Sequence, residues 1–375
     1  MSGPEAPEED RRWMEAALNF GERSLGLAAP NPSVGAILVQ SGVVVGRGVT
    51  APGGRPHAEM IAIAEAKEAA RGATLYITLE PCSHMGGSPP CAEAVIAAGV
   101  GRVVSAMDDP NPLVKGHGHA RLRAAGVDVV VGVGEKQARR DHRGHILLVT
   151  QRRPAVTLKL AETADGFAAG GGHDPRLRIT GQIANARVQM MRATHEAIMI
   201  GVETAIADDP ALTVRLPGLD RKPLRVVLDT RLRLPLESRL AATARKLATL
   251  VICGPDAPLA AARRLNDLGV EVETVGLDPR GGVNLPQALR ALTERRVTRV
   301  FSEGGPRVAA RLIELGLAEE VVIFTAEKPL GRPGVPALDG RARAALADPA
   351  RYALIEEAEY GPDRMRRWER LGRPE

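Results

Sequence analysis

Residues 78–91 read Thr78-Leu79-Glu80-Pro81-Cys82-Ser83-His84-Met85-Gly86-Gly87-Ser88-Pro89-Pro90-Cys91, and the triplet His57-Ala58-Glu59 precedes them. Two cysteines and one histidine are three donors of the kind that zinc takes. A catalytic zinc uses three protein ligands and keeps its fourth position for water. Two thiolates and a neutral imidazole balance the charge of Zn2+, and water at such an ion gives up its proton more readily than free water does. Glu59 follows the histidine by two residues, near enough to move protons without being a ligand. Other readings of the cysteines are a buried apolar pair, a disulfide or a closed structural zinc site. The first two leave the His-x-Glu and Pro-Cys contexts without a purpose. The third needs a fourth ligand, for which His84 is the nearby candidate, and gives Glu59 no role.

The rest of the chain bounds these readings. Its 375 residues exceed one ordinary core and suit two, and 44% apolar residues suffice to bury both. No apolar run approaches the ~18 residues of a membrane span. Met1 to Asp10 is acidic and Pro-rich, without the basic start and apolar stretch of a signal peptide. Three cysteines, two of them in the motif, fit a reducing cytosol, so a cytoplasmic location is expected. Cys253 follows the apolar run Thr249-Leu-Val-Ile and reads as a buried strand end. Fifty basic residues are offset by 45 acidic ones, with no basic block. Two tryptophans, three tyrosines and four phenylalanines are too few for a base-stacking platform, so nucleic acid is not an expected partner. Arginines aimed at small phosphorylated ligands account for the net charge of +5 equally well.

A His-x-Glu followed by Pro-Cys and a second cysteine is the signature of the zinc nucleobase deaminases. Most of these place two residues between the cysteines, whereas eight lie between Cys82 and Cys91. That longer insertion resembles the bifunctional riboflavin-biosynthesis deaminase–reductase family, with its Pro-Cys-Ser-His-x-Gly-(Arg/Lys)-Thr-Pro-Pro-Cys pattern. Upstream, residues 10–26 carry Trp13, Met14, Ala17, Leu18 and Leu25 at helical spacing. Residues 35–40 and 43–45 read as a hairpin closed by Ser41-Gly42. Residues 57–70 should be helical up to Gly72, residues 74–79 a buried strand, and residues 91–98 a helix with prolines at its start. The metal would then lie at a strand end between two helix N-termini, whose positive ends favour thiolates. Residues 102–107 and 127–131 supply further strands, with a helix over 119–125 between them. This order is an α/β sandwich, and the resemblance implies a cytidine deaminase-like three-layer α/β/α domain. Asn31, in Pro-Asn-Pro-Ser-Val-Gly35, contacts substrate in that family; alternatively it only stabilises its turn. His84 joins it as a substrate residue by the same resemblance. Asp109-Pro-Asn-Pro-Leu-Val-Lys-Gly-His-Gly118 reads as a tight turn and a pocket wall. His117, His119, His142 and His145 read as exposed polar residues.

The basic stretch 139–154 marks the boundary between a deaminase domain, 1–150, and a reductase domain, 151–375. Residues 156–161 form a strand, 170–172 a glycine loop, 182–194 a helix, and 197–201, 224–228 and 250–253 further strands. Residues 299–301 are a strand running into Ser302-Glu303-Gly304-Gly305-Pro306 and a helix over 307–315. A strand, a Gly-Gly turn and a helix start make an anion site. No Gly-x-Gly-x-x-Gly follows a first strand, so a standard dinucleotide fold is not expected. Gly201-Val-Glu-Thr204-Ala-Ile-Ala-Asp208-Asp-Pro-Ala-Leu212-Thr-Val-Arg215 resembles the family's reductase motif, which implies a dihydrofolate reductase-like α/β domain. By matched position, Ala161, Thr204, Asp208 and the turn Gly305, Pro306, Arg307, Val308, Ala309, Ala310 and Arg311 would contact NADPH. Arg192, Leu212, Arg215 and Glu303 would hold substrate, the arginines on its phosphate. The plainer readings are surface charge for the arginines and a helix cap for Glu303.

Several positions depart from the family. Gly87 stands for an Arg or Lys between the cysteines, and Thr50 for a substrate-facing His. Phe167 follows Asp165-Gly166 in place of a basic residue, Arg178 replaces a Trp, and Ile183 and Asn185 alter the next helix. The resemblance implies a two-step enzyme. Hydrolytic deamination of 2,5-diamino-6-(5-phosphoribosylamino)pyrimidin-4(3H)-one uses Zn2+ held by His57, Cys82 and Cys91, with Glu59 as proton carrier. NADPH then reduces the ribosyl chain of 5-amino-6-(5-phosphoribosylamino)uracil to ribityl. Small phosphorylated pyrimidines, no membrane, and a homo-oligomer, dimer or tetramer, complete the expectation. The rivals are a deaminase with an impaired or altered reductase half, and a tRNA or nucleoside deaminase.

Overall fold

The computed structural model describes residues 6–83, 90–112, 114–171, 174 and 177–372. His84 and Gly87 therefore lie outside the described residues. The chain divides into two compact units, Met1–Arg152 and Arg153–Glu375. Among the described residues no helix is long and apolar enough to cross a membrane.

The first unit runs α1 (Glu8–Gly21), β1 (Gly35–Gln40), β2 (Val43–Val49), α2 (Ala58–Ala66), β3 (Thr74–Ile77), α3 (Cys91–Ala97), β4 (Arg102–Ser105), α4 (His117–Ala124), β5 (Asp128–Val131), α5 (Glu135–Asp141) and α6 (Arg143–Gln151). Its sheet has the order β2-β1-β3-β4-β5. The β1 pairings are antiparallel, and β3, β4 and β5 run parallel. The β1–β2 turn works because Ser41 and Gly42 both take positive φ, 50° and 75°, the geometry of tight hairpin turns. The helix expected to reach residue 70 stops at Ala66, where Lys67 takes φ 52° and a 3-10 turn follows.

Glycines set the layers. A Cβ on Gly46 or Gly48 would lie 2.2 Å from the Ala62 carbonyl or 2.0 Å from the Ala58 carbonyl of α2. One on Gly35 would lie 2.0 Å from the Ala17 carbonyl of α1. Gly48 pairs with Ala36, and successive strand residues face opposite sides, so Gly35 and Gly48 look to opposite faces. Helices α1 and α2 therefore cover the two faces of one sheet, with alanines laid directly on strand backbone. The core between them includes Met14, Leu18, Leu38, Leu75 and Ile77. Gly48→Val should force α2 off the sheet and destabilise this unit by about 3 kcal/mol, the upper end of ordinary overpacking. Chemical denaturation followed through Trp13, with Trp368 replaced, reads this directly.

The second unit begins β6 (Ala155–Glu162), β7 (Phe167–Ala169), α7 (Gln182–Ala193), β8 (Ala197–Gly201), α8 (Val202–Asp208), β9 (Leu224–Leu228), α9 (Arg239–Ala242), β10 (Thr249–Cys253) and α10 (Leu259–Asp267). It continues β11 (Glu271–Thr274), α11 (Leu285–Glu294), β12 (Arg299–Ser302), α12 (Pro306–Glu314), β13 (Glu320–Thr325), β14 (Val335–Pro336), α13 (Gly340–Ala347), β15 (Tyr352–Tyr360) and β16 (Asp363–Arg370). Nine strands form one sheet ordered β11-β10-β9-β8-β12-β6-β13-β16-β15. The strands from β11 to β13 are parallel, and the terminal hairpin adds antiparallel. Cys253 is buried at the end of β10, as its apolar run predicts. The carboxyl ends of β6, β12 and β8 lie side by side, where open parallel sheets take their ligands.

His195, just before β8, is a core residue. Its Nδ1 lies 2.7 Å from the Met191 carbonyl and its Nε2 3.0 Å from Thr157 Oγ1. Its ring packs 5.3 Å from that of Phe301. Burial pushes the imidazole down to about 3, so it stays neutral in the folded protein. The unfolded chain takes up a proton near pH 6.5, so stability is lost as pH falls from there toward 3. The slope is about 1.4 kcal/mol per pH unit, or roughly 2 kcal/mol at pH 5. His195→Gln should flatten this slope in urea titrations that follow Trp368 in a Trp13→Phe background.

Candidate functional site

In the first unit, three elements deliver the metal-type donors. His57 is the N-cap of α2, one residue ahead of the first turn. Cys82 lies just beyond β3, and Cys91 is the first residue of α3. His57 Nδ1 is 3.2 Å from Cys91 Sγ and 3.7 Å from Cys82 Sγ. All three donor atoms lie within 4.8 Å of one another. The Cys91 amide donates to Cys82 Sγ at 3.3 Å, and the Ala92 amide to the Cys82 carbonyl at 3.1 Å.

The two sulfurs compete for one negative charge. The Cys91 thiol, together with His57 and the Cys91 amide, pulls Cys82 down to about 4. Cys91 in turn is pushed up by its contact with Cys82 and by burial. Contact with Cys82 raises His57. Two sulfurs and an imidazole nitrogen gathered this closely suit a divalent, borderline-soft cation, which would let both thiols ionise. Glu59 is 3% exposed in the first turn of α2, and burial raises its carboxyl.

Asn31 stands behind His57. Its Nδ2 donates to the Gly54 carbonyl at 2.8 Å and lies 3.4 Å from His57 Nε2. Gly54 takes φ +92°, and a Cβ there would lie 2.7 Å from the Asn31 amide carbon. Only glycine suits that position. Thr50 is buried, its hydroxyl accepting the Val34 amide at 3.0 Å, so it joins two strand ends.

Of the four histidines expected to be exposed, His117 alone is. His119 is buried because its Nδ1 reaches Asp108 at 3.0 Å and its amide reaches Glu80 at 3.3 Å. His142 is buried because its Nε2 meets the Thr78 carbonyl and hydroxyl, each at 3.1 Å. His145 is half-buried, 3.7 Å from Asp109, and His117 is exposed.

In the second unit, α8 and α12 both start without a side-chain cap, at Gly201 and Gly305. Helix starts carry backbone N–H groups suited to an anion, here from residue 202 in α8 and, since Pro306 has none, from residue 307 in α12. The ends are adjacent: a Cβ on Gly201 would come 3.1 Å from Val308, and one on Gly305 3.1 Å from the Thr204 hydroxyl. Arg307 is exposed, and Ala161, Asp208 and Pro306 are half-buried. Ala309 and Ala310 face the core, at 0% and 6% exposure, so their side chains are packing residues. Arg311 is engaged by Asp278 and Glu314.

Glu303 and Arg192 form a largely buried two-point pair, at 2.5 and 2.8 Å. Arg192 also donates to the Thr213 carbonyl at 2.9 Å. This rules out surface charge for Arg192, and α12 is capped by Gly305 rather than by Glu303. Burial opposes the charge of Glu303, but Arg192, Lys159 and Arg215 outweigh it and hold the carboxyl below its usual range. Arg215 keeps an exposed side chain, and its amide donates to Gln189 at 2.8 Å. Leu212 is buried at φ +48°, a strained value for leucine. Lys159 was not singled out in the sequence; a lysine in the middle of the apolar strand 156–161 was the available signal. Of the departures from the family, Arg178 and Asn185 are exposed, and Asn185 donates to the Thr180 carbonyl at 3.1 Å.

Comparison with known proteins agrees with both units. Residues 7–107 match the model for the cytidine and deoxycytidylate deaminase zinc-binding region, and residues 154–355 that for the RibD C-terminal domain. The riboflavin biosynthesis protein RibD of Aquifex aeolicus is 39% identical over 86% of this chain and 88% of its own. That of Escherichia coli is 36% identical over 95% and 98%. The solved structure of Acinetobacter baumannii RibD is similar at a TM-score of 0.83, with 33% identity over 97% of this chain and 99% of that one. A Thermotoga maritima structure, described as a diaminohydroxyphosphoribosylaminopyrimidine deaminase/5-amino-6-(5-phosphoribosylamino)uracil reductase, reaches 0.81 with 30% identity over 96% and 99%. The chain belongs to the bifunctional riboflavin-biosynthesis deaminase–reductase family, pairing a cytidine deaminase-like zinc domain with a dihydrofolate reductase-like, NADPH-dependent one.

Proposed function

We propose that residues 1–150 deaminate 2,5-diamino-6-(5-phosphoribosylamino)pyrimidin-4(3H)-one, and that residues 151–375 reduce the resulting 5-amino-6-(5-phosphoribosylamino)uracil. The observation that carries the first half is the gathering of His57, Cys82 and Cys91 beside buried Glu59. His57, Cys82 and Cys91 would hold zinc, which supplies the Lewis acidity that makes water a nucleophile near neutral pH. A carboxylate oxygen of Glu59 takes one proton from the attacking water and passes it to the ring nitrogen, then carries the second, from the new hydroxyl, to the departing amino group. The C–O bond forms first, making the ring carbon tetrahedral, and the C–N bond then breaks as the carbonyl forms and ammonia leaves. Asn31, braced by Gly54, orients the ring. His84 is retained as a substrate residue on the resemblance alone.

In the reductase half, bound NADPH supplies the hydride, and the protein's task is to place it against the sugar carbon. The uncapped starts of α8 and α12 offer amides to the cofactor's phosphates, with Thr204, Asp208, Gly305, Pro306, Arg307 and Val308 around them. Ala161 and Leu212 shape the walls. Arg311, Ala309 and Ala310 act through the fold of α12. Exposed Arg215 is the phosphate ligand, while Arg192 fixes Glu303 toward the substrate. Nothing among the described residues favours an impaired reductase half. The cytoplasm and a homo-oligomeric state complete the reading.

The test supplies zinc-loaded protein with the diamino substrate and NADPH, and follows ammonia and nicotinamide absorbance separately. Matching stoichiometry of the two is expected. Ammonia without oxidation would remove the reductase assignment, and no ammonia would remove the substrate.

A further inference from the structure

Glu80 is 5% exposed and lies two residues ahead of Cys82. Its two carboxylate oxygens accept four main-chain N–H groups: Asp109 at 2.9 Å, Gly116 at 2.8 Å, Gly118 at 2.7 Å and His119 at 3.3 Å. These donors belong to the turns at 108–112 and 114–116 and to the start of α4. Within the turns, backbone bonds are short-range ones such as Lys115 to the Asn111 carbonyl at 2.9 Å. Gly118 closes the arrangement. A Cβ there would stand 2.0 Å from the Pro81 carbonyl, so the first turn of α4 lies directly on the backbone joining Glu80 to Cys82. On the far side, Arg121 of α4 is bonded to Glu93 of α3, the helix that begins with Cys91.

Glu80, Asp108 and His119 also gather as metal-type donors. With four N–H groups aimed at it, however, the Glu80 carboxylate serves as the anion of a backbone nest and is poorly placed to ligate a cation.

We propose that Glu80 is a positioning residue that locks the Cys82 segment, the turns at 108–112 and 114–116 and the start of α4 into one piece, setting both the zinc site and the adjoining substrate wall. The inference rests on the deaminase reading. Glu80→Gln keeps the shape but turns an NH2 toward main-chain N–H groups. Zinc affinity by chelator competition should fall about tenfold or more, as for outer partners of metal ligands. With zinc saturating, KM for ammonia release should rise about tenfold while kcat stays within about threefold, the split expected of lost binding rather than lost chemistry. Hydrogen exchange at the Gly116 and Gly118 amides should quicken. NADPH oxidation with the deaminated pyrimidine, a property of the other unit, should not change.

A folded Glu80→Gln protein with wild-type zinc affinity and KM would overturn the proposal. So would a lowered melting temperature with neither of those shifts. Should Glu80→Gln fail to fold, Glu80→Asp, which keeps the charge one methylene short, decides on the same criteria: intermediate zinc affinity and KM support the proposal, and wild-type values sink it. The zinc and exchange measurements need no pyrimidine, so they stand even if wild-type protein releases no ammonia and the substrate assignment fails.

Discussion

Glu59→Gln lowers ammonia release by about 10²–10⁴-fold, the range a positioned acid–base group contributes. Zinc content and NADPH oxidation on pre-deaminated substrate stay at wild-type levels. The reasons are local. Glu59 is buried in the first turn of α2 beside the donors, yet is not one of the three clustered ligand atoms. Glutamine fills the same space and leaves His57 at the helix cap, so the change removes proton transfer and little else. Loss of zinc along with activity would instead make Glu59 a ligand, and retained activity would end its role as proton carrier. Single-turnover ammonia release with zinc measured on the same sample separates these outcomes.

Glu303→Ala acts on the other half. Arg192 would remain about nine-tenths buried with its main counter-charge gone. Removing one partner of a buried pair costs about 3–5 kcal/mol, because the remaining charge is uncompensated. The second unit should lose that much stability, and NADPH oxidation should fall with it, while ammonia release continues. Adding Arg192→Met should recover much of the stability without restoring reduction. The coupling in that double-mutant cycle isolates the pair from the separate effect on substrate. Equal stabilities for Glu303→Ala and wild type would show that the pair carries no weight.

Much of the site was legible because its signals are local. The His-x-Glu and Pro-Cys spacing named the three donors before any fold was known, and short apolar runs placed β8 and β9 at their observed bounds. Other features depend on partners remote in sequence. His119 and His142 looked like surface residues until topology brought Asp108 and Thr78 to them. Arg192 meets Glu303 across 111 positions, which no periodicity reports. Arg225, 1% exposed, is another such case. It is held by the Leu240 and Leu247 carbonyls and by Thr243 and Thr249, in a strand whose apolar pattern it interrupts. The paired helices α5 and α6 carry basic residues that read as a domain boundary, and composition alone does not report them as helices.

The contact of Gly46 and Gly48 with Ala58 and Ala62 has a consequence for metal traffic. Main chain rests on main chain there, so the turn that presents His57 is set by the fold and not by the ion. Zinc fingers are the opposite case, where the ion and the fold arrive together. Here the seat of α2 is made by the sheet, so removing the metal should leave the His57 turn in place. A molecule stripped by a competing chelator should keep that part of its socket, so its return to service should follow the supply of the ion.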